Sequence, residues 1–156
     1  MVALILAGKV GSNIASELGT MRVTEQIDAL EIMGVNSASY LIMPKILAAV
    51  VFNPFLTIIS IIIGIIGGYL AVYFTGVITT TDFISGVQYF FIPYYVVYAL
   101  VKTVVFAFLI TTISAYHGYT VEGGALEVGA ASTRAVVFSS INILLFNVII
   151  TQLMLS

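Results

Sequence analysis

Lys102 is the residue whose position most needs a chemical explanation. It is the sole charged side chain between Asp82 and Glu122, and it lies near the middle of an apolar stretch. A charge inside a membrane helix is costly and commonly marks a substrate pathway. A lysine that faces a cavity could hold a lipid phosphate or carboxylate. Alternatively, its long side chain carries the ammonium to the outer membrane interface, past neighbouring tyrosines, where Asp82 could pair with it. The sequence leaves both interpretations open.

Polar side chains also follow one face of the last apolar stretch. They are Thr133, Ser140, Asn147 and Thr151. Their spacings of seven, seven and four residues place them within a narrow arc of a helix. The favoured interpretation is hydrogen bonding between helices. The alternative is that the stripe lines a substrate path.

The sequence lacks the residues that several kinds of functional site require. There is no cysteine, and the single histidine, His117, has no cluster of carboxylates beside it that could complete a metal site. The pair Lys102-Thr103 lacks the glycine loop that cradles nucleotide phosphates. A net charge of −2 provides no basic surface for nucleic acid. We therefore predict no catalytic residue, no metal and no cofactor in this chain, and we interpret His117 as an interfacial hydrogen-bonding residue.

The segment 20–34 has the pattern of a short amphipathic helix beside the membrane. Its apolar face consists of Val23, Ile27, Leu30 and Met33, and its polar face carries Glu25, Gln26, Asp28 and Glu31. Thr24 is expected to cap its N-terminus and Gly34 to end it. Such a helix could lie on the membrane, pack against other helices, or dock on a cytoplasmic partner. The acidic face disfavours an anionic membrane surface and favours the partner.

The composition is that of an integral membrane protein. Of the 156 residues, 61% are hydrophobic and 8% are charged, whereas an average soluble domain is about 25% charged. A spanning helix needs about 20 apolar residues. We predict three transmembrane helices, at 46–75, 87–116 and 135–155. The predicted fold is therefore all-α and polytopic, with a single transmembrane domain over 1–156.

Two other apolar features are interpreted structurally. Residues 1–15 are predicted to be the end of a membrane helix whose beginning is missing. A signal peptide is rejected because no basic region precedes the apolar run and Lys9 falls inside that run. Gly64 and Gly68 form a GxxxG pair, which predicts close approach of two helices in lipid.

The remaining segments suggest an orientation in the membrane. Polar loops are predicted at 76–86 and 117–134, and the tyrosines at 89, 94, 95 and 98 are typical of an interfacial belt. Lys9, Arg22 and Lys45 precede the first span, while the 76–86 loop has no basic residue. The positive-inside rule then places the acidic segment and the 117–134 loop in the cytoplasm.

A family resemblance rests on several blocks of sequence. The first is the run Glu17–Val35, ELGTMRVTEQIDALEIMGV. The others are Tyr40-Leu41 with Pro44-Lys45, Lys102–Ala107, His117–Tyr119, Gly129–Val137, Ser139-Ser140, and Asn147 with Thr151. Together they resemble the signature of the MlaE/YrbE family of ABC transporter permeases over the whole chain, with Pro-Lys where the family usually has Pro-Arg. Members of that family have further membrane segments upstream, so we expect this chain to be N-terminally incomplete.

The resemblance implies a set of partners and a location. Two permease copies would form a homodimer in the bacterial inner (cytoplasmic) membrane as multi-pass proteins. Separate ABC ATPase subunits, which bind ATP and Mg, would dock on the 20–34 segment as a coupling helix. A periplasmic MCE-domain protein would sit above. Phospholipid would move between the inner membrane and the cell envelope, and no nucleic acid is involved.

The resemblance also assigns roles to individual residues. The residues that match the coupling segment are Arg22, Glu25, Gln26, Asp28 and Glu31. The candidates for the lipid path are Lys102, Tyr94, Tyr98 and Asn147. The family often has an acidic residue at the position of Asn147, so a hydrogen-bonding role is expected there. Arg134 matches the arginine that opens the last span. The alternatives are a non-transporting membrane scaffold or permease remnant, and a membrane enzyme that uses Lys102 or His117.

Overall fold

The computed structural model describes residues 1–155, and this part of the chain is helical throughout apart from short connections. The helices are α1 (Val2–Leu6), α2 (Ser12–Val23), α3 (Gln26–Ile32), α4 (Ser37–Thr75), α5 (Thr80–Tyr89), α6 (Pro93–Tyr119) and α7 (Ala125–Leu155), with a π-helical segment at Ala7–Gly11 between α1 and α2. The predicted all-α class is confirmed.

Helices α4, α6 and α7 are long and apolar enough to cross a membrane. They contain 39, 27 and 31 residues, and a helix rises about 1.5 Å per residue, so each exceeds the roughly 30 Å of a bilayer core. The prediction of three such helices behind a short helical segment is confirmed. With these helices the chain is a multi-pass membrane protein.

Two of the spans begin earlier than predicted, and one begins later. Helix α4 starts at Ser37 because Asn36 caps it, accepting a hydrogen bond from the Ser39 amide at 3.1 Å. Helix α6 starts at Pro93. Proline is tolerated in the first turn because a backbone N–H there has no acceptor within the helix. Helix α7 starts at Ala125, so the predicted 117–134 loop shrinks to five residues between the ends of α6 and α7.

The prediction of one continuous helix over 20–34 is wrong. Helix α2 runs on to Val23, and Glu25 then adopts a left-handed conformation, with φ of +61°, before α3 begins. Thr24 does not cap α3, because its hydroxyl donates backwards to the Thr20 carbonyl at 2.8 Å. Gly34, as expected, follows the end of α3 with a positive φ of +78°.

The prediction of a loop over 76–86 is also wrong, since α5 begins inside it. Thr79 caps α5 by accepting a hydrogen bond from the Asp82 amide at 3.2 Å, and Asp82 lies in the first turn. Phe83 then packs on α4, where a Cβ added at Gly68 would lie 3.2 Å from its ring. Thr79 followed three residues later by an acidic residue is a helix-start signal that resembles a capping box.

The packed core lies where α1, the π segment and α2 meet α6 and α7. Ala7, Phe106, Ile110 and Ile143 form one buried cluster there. At the other end of the same contact, Gly118 of α6 touches α2 so closely that an added Cβ would lie 2.6 Å from the Ala15 carbonyl oxygen. Leu41 and Ile42 of α4 pack against a second buried cluster, formed by Ile14, Leu18 and Ala115.

Candidate functional site

Lys102 lies on α6 with its ammonium held between α6 and α7. Its Nζ donates to the Tyr98 hydroxyl at 2.5 Å and to the Thr151 hydroxyl at 3.0 Å. The two hydroxyls also contact each other, at 2.8 Å. Nζ further lies 4.5 Å from the centre of the Tyr98 ring, a favourable cation–π distance. The lysine charge is therefore surrounded by polar and aromatic groups although its helix is apolar. We name Tyr98, Lys102 and Thr151 the lysine cluster.

An open cavity of about 530 Å³ adjoins the lysine cluster on the α7 side. It is lined by Asn147, Val148, Thr151, Gln152 and Leu155. Thr151 therefore belongs both to the cluster and to the cavity wall. Asn147 and Gln152 add amide groups to a wall that is otherwise apolar. The cavity can take an amphipathic molecule whose polar group lies near Thr151 and Lys102.

Tyr94 contributes to the structure near this site in a different way. Its hydroxyl donates to the Met154 carbonyl at 2.7 Å, which ties the start of α6 to the end of α7. Asn147 is exposed in the cavity wall. The structure thus brings Lys102, Tyr98 and Asn147 to one region, and Tyr94 fastens the helices at its edge.

Asp82 does not pair with Lys102. It lies at the start of α5, where its carboxylate accepts a hydrogen bond from the Thr79 hydroxyl. The Lys102 side chain instead reaches Tyr98, four residues earlier on the same helix. Of the predicted polar stripe, Thr151 hydrogen-bonds to α6, while Thr133 donates to the Gly129 carbonyl of its own helix at 3.2 Å. Of these two positions, Thr151 makes a contact between helices and Thr133 bonds within its own helix.

The acidic residues around α3 divide into an anchored group and an exposed group. The Glu31 carboxylate accepts hydrogen bonds from the Ser37 hydroxyl at 2.9 Å and the Tyr119 hydroxyl at 3.0 Å. These bonds, and the nearby Arg22 guanidinium, hold the pKa of the Glu31 carboxyl below its ordinary value. Arg22 itself pairs with Asp28 at 2.6 Å. Helix α3 is thereby tied to α2, to the start of α4 and to the end of α6.

The exposed group lies at the start and at the end of α3. Glu25 and Gln26 are exposed at its start. At its end, Ile32 and Met33 are 88% and 68% exposed. Large apolar side chains that are this exposed beside acidic groups are typical of an interaction site. We name these four residues the α3 surface.

Sequence reasoning missed several contacts because they depend on the rotation of whole helices. Thr57 of α4 and Thr103 of α6 contact each other through their hydroxyls at 3.1 Å. Lys45 pairs with Glu17 at 2.6 Å, joining α4 to α2. The only available signal was a hydroxyl or a charge inside an apolar or packed segment. In the described residues 1–155, His117 stacks on Phe138, and no group of three potential metal ligands occurs.

The two glycines of the GxxxG pair in α4 have different surroundings. Gly68 packs on Phe83 of α5, whereas nothing lies within 4 Å of a Cβ added at Gly64 or at Gly67. The predicted close approach therefore occurs at Gly68, against the short helix α5. Gly64 and Gly67 leave an open face on α4.

Comparison with known proteins gives a consistent result. The chain matches the permease MlaE family model over residues 1–153. It is 44% identical over 153 residues to a probable ABC transporter permease protein of Rickettsia bellii, covering 98% of this chain and 59% of that protein. It is 38% identical over 154 residues to a probable ABC transporter permease protein of Synechocystis sp., covering 99% of this chain and 59% of that protein.

A plant protein is also related. The chain is 33% identical over 152 residues to the chloroplastic protein TRIGALACTOSYLDIACYLGLYCEROL 1 of Arabidopsis thaliana, covering 97% of this chain and 43% of that protein. The chain spans 59% of the length of the two bacterial relatives. The family model extends over nearly all of the sequence. The fold contains three helices that are long and apolar enough to cross a membrane. The chain therefore belongs to the MlaE permease family.

Proposed function

We propose that this chain is part of the permease subunit of an ABC transporter that moves phospholipid between the bacterial inner membrane and the cell envelope. A separate ATPase subunit supplies the energy, and the chain itself catalyses no reaction. Family membership supports the permease role, and the name of the plant relative refers to a glycerolipid. The observation that carries the lipid assignment is the lysine cluster beside an open cavity.

The lysine cluster has the chemistry that a lipid phosphate requires. The Lys102 ammonium is a cation whose present partners are neutral hydroxyls and an aromatic ring. An anionic oxygen that enters the cavity beside Thr151 can replace a hydroxyl as acceptor, and such a charge-assisted hydrogen bond is stronger. Asn147 and Gln152 in the cavity wall offer further donors. The apolar part of the wall suits acyl chains.

Coupling to the ATPase is assigned to α3. The α3 surface presents acidic and apolar groups to the cytoplasm, while Glu31 and Arg22 hold the helix to α2, α4 and α6. ATP binding would close the partner subunits and displace α3. The Glu31–Tyr119 hydrogen bond would pass that displacement to α6, and the cavity beside Lys102 would then change shape. A second permease copy on the open α4 face and an MCE-domain protein on the periplasmic side complete the proposed complex.

The experiment that tests this function is co-purification from the native operon. The full-length gene product containing this chain is tagged, extracted in mild detergent and examined by native mass spectrometry. We expect a permease dimer with ATPase subunits and bound phospholipid. Lys102→Met should lower the bound phospholipid several-fold, whereas Lys9→Met should not, because Lys9 is exposed in the π segment.

Two results would contradict the proposal. A permease that purifies without ATPase subunits and without lipid would support the scaffold alternative. Unchanged lipid content in Lys102→Met would remove the lysine cluster from the lipid path while leaving the family assignment intact.

A further inference from the structure

A second site lies at the opposite end of α6 from the lysine cluster. A small cavity of about 120 Å³ lies where α6 ends and α7 begins. Its lining contains four polar ionisable groups, namely His117, Glu122, Glu127 and Arg134, together with Thr120, Val121 and Ala131. We name it the polar chamber. None of the residues assigned to lipid or to ATPase coupling above belongs to it.

The charges of the polar chamber are available to a ligand. Among residues 1–155, the ion pairs join Arg22 to Asp28 and Lys45 to Glu17. Arg134, Glu122 and Glu127 are exposed side chains outside both pairs. One guanidinium and two carboxylates therefore face a shared space without being satisfied by each other. Such a set is complementary to a molecule that carries both an anionic and a cationic group.

An apolar groove continues from the chamber along α6 and α7. Its volume is about 500 Å³, and it is lined by Thr112, Ile113, Tyr116, His117, Phe138 and Asn142. His117 lines both spaces, and its ring stacks on Phe138 with 5.2 Å between ring centres. Tyr116 and Phe138 are 65% and 49% exposed. The chamber and the groove thus form one amphipathic surface.

The direction of this surface matches that of a lipid in one leaflet. The groove residues precede His117 on α6 and follow Arg134 on α7, so the groove extends from the polar chamber towards the middle of both spanning helices. His117 is 15 residues from Lys102, which is about 22 Å along a helix that rises about 1.5 Å per residue. The two sites therefore lie in different halves of the membrane, and α3 is on the side of the polar chamber because Glu31 bonds to Tyr119.

We propose that the polar chamber and its groove bind one phospholipid with a zwitterionic, amine-bearing headgroup from the leaflet on the α3 side. Arg134 binds the phosphodiester, and Glu122 and Glu127 accept hydrogen bonds from the ammonium. One acyl chain lies in the groove against Phe138 and Tyr116. This binding requires no transport, so it stands apart from the function proposed above.

A photoreactive lipid can locate the binding directly. The full-length gene product is reconstituted with a phosphatidylethanolamine that carries a diazirine in one acyl chain, and the labelled peptides are mapped by mass spectrometry. We expect labelling of segments 112–116 and 138–142. Arg134→Gln should reduce that labelling about tenfold, the loss expected for one charge-assisted hydrogen bond, and Arg134→Lys should retain most of it. Labelling near 147–155 should stay unchanged in both variants.

Headgroup specificity and folding have their own controls. Glu122→Gln, in the exposed connection, should weaken labelling by the phosphatidylethanolamine probe but not by a phosphatidylglycerol probe, which has no amine. Lys9→Gln removes a cation elsewhere and should change neither. Val137→Ala, beside but outside the groove, is the matched control for Phe138→Ala, which should lower labelling.

Three outcomes would overturn the proposal. The first is equal groove labelling by a diacylglycerol probe, which would mean ordinary annular lipid. The second is labelling that is insensitive to Arg134→Gln in a variant that still purifies as a folded protein. The third is protection of the groove by a second copy of the chain, shown by loss of dimer in Phe138→Ala together with a gain of labelling.

Discussion

At the scale of the single residue, Lys102 shows how a charge persists in an apolar helix. Two hydroxyls and one aromatic face surround its ammonium, and these groups come from both α6 and α7. A charge in a membrane interior is tolerated when polar groups of neighbouring helices or a water-filled cavity solvate it. An open cavity adjoins the cluster at Thr151. Lys102 therefore links α6 to α7 beside that cavity.

The first prediction concerns Thr151. Thr151→Val keeps the shape of the side chain but removes the hydroxyl that accepts from Lys102 and contacts Tyr98. We expect the free energy of unfolding in detergent to fall by about 1 kcal/mol, because a partly buried charged group loses an acceptor. Lipid content should change as well, since Lys102 then needs a new partner. Thr133→Val is the control, because that hydroxyl bonds within α7. Equal effects of the two substitutions would contradict the role of Thr151.

Residue-level prediction from sequence succeeded where the signal was local. An isolated lysine in an apolar stretch is conspicuous, and Tyr98 lies one helical turn from it. Thr151 could not be assigned to Lys102, because the pairing depends on how α7 is rotated against α6. The same limit explains Asp82, which lies nearer in sequence but is used to start α5.

At the scale of the element, α3 is a short helix that is held mainly by side chains. It has seven residues, which is too few for an isolated helix to be stable in water. Its residue Ile27 is fully buried, and Glu31 and Asp28 tie the helix to its neighbours. The breaks at Glu25 and Gly34, both with positive φ, let α3 take a direction different from that of α2 and α4.

The second prediction concerns the pH dependence of α3. The pKa of Glu31 is lowered by its hydrogen bonds, so its contribution to docking α3 is present above its ordinary pKa and is lost as the pH falls through the lowered value. We expect α3 to stay docked near pH 7 and to loosen only when the pH falls below the ordinary pKa of a glutamate carboxyl. Amide hydrogen exchange of residues 26–32, measured as the pH is lowered, reports the loosening of α3.

Glu31→Gln should reproduce the loosened state at neutral pH, because the amide is a weaker acceptor than the carboxylate. Glu25→Gln is the matched control, since Glu25 is exposed. If Glu31→Gln exchanges as slowly as the wild type at pH 7, the network does not hold α3.

Element boundaries were predictable only in part. The apolar stretches indicated the cores of α4, α6 and α7, because burial in lipid requires a continuous apolar run. Helix ends are set by capping residues, such as Asn36 for α4 and Thr79 for α5, and the hydrophobic pattern does not indicate them. The break at Glu25 was hidden because the apolar spacing of 20–34 continues across it.

At the scale of the whole molecule, α4 packs against α6 but leaves most of its apolar surface exposed. Only 6% of its most apolar window is buried, and the open face at Gly64 and Gly67 has nothing within 4 Å of an added Cβ. Lipid can cover such a helix, but small residues at the surface also let another helix approach closely. The permease homodimer proposed above would use this face.

The third prediction tests that face by cross-linking. Gly64→Cys in the cysteine-free chain should form disulfide-linked dimers in native membranes, because a disulfide needs the two Cα atoms within about 7 Å. Ile62→Cys points to another side of α4 and should stay monomeric. Gel electrophoresis without reducing agent measures the fraction of disulfide-linked dimer in both variants. Efficient cross-linking of Ile62→Cys, or its absence at Gly64→Cys in a complex that is dimeric by mass, would place the interface elsewhere.

The contact between Gly118 and Ala15 has a mechanical consequence. The backbones of α6 and α2 approach each other closely there, beside the Leu18 side chain, so Gly118 is a natural pivot for a tilt of α6. The pivot lies one residue from Tyr119 and 16 residues from Lys102. With a rise of about 1.5 Å per residue, the long arm measures about 24 Å, and the short arm is a single residue. A tilt of α6 by about 5° around this fulcrum swings Lys102 through about 2 Å while Tyr119 barely moves. In the coupling proposed above, a small displacement of Tyr119 by α3 would therefore move Lys102 far enough to change its hydrogen-bond partners.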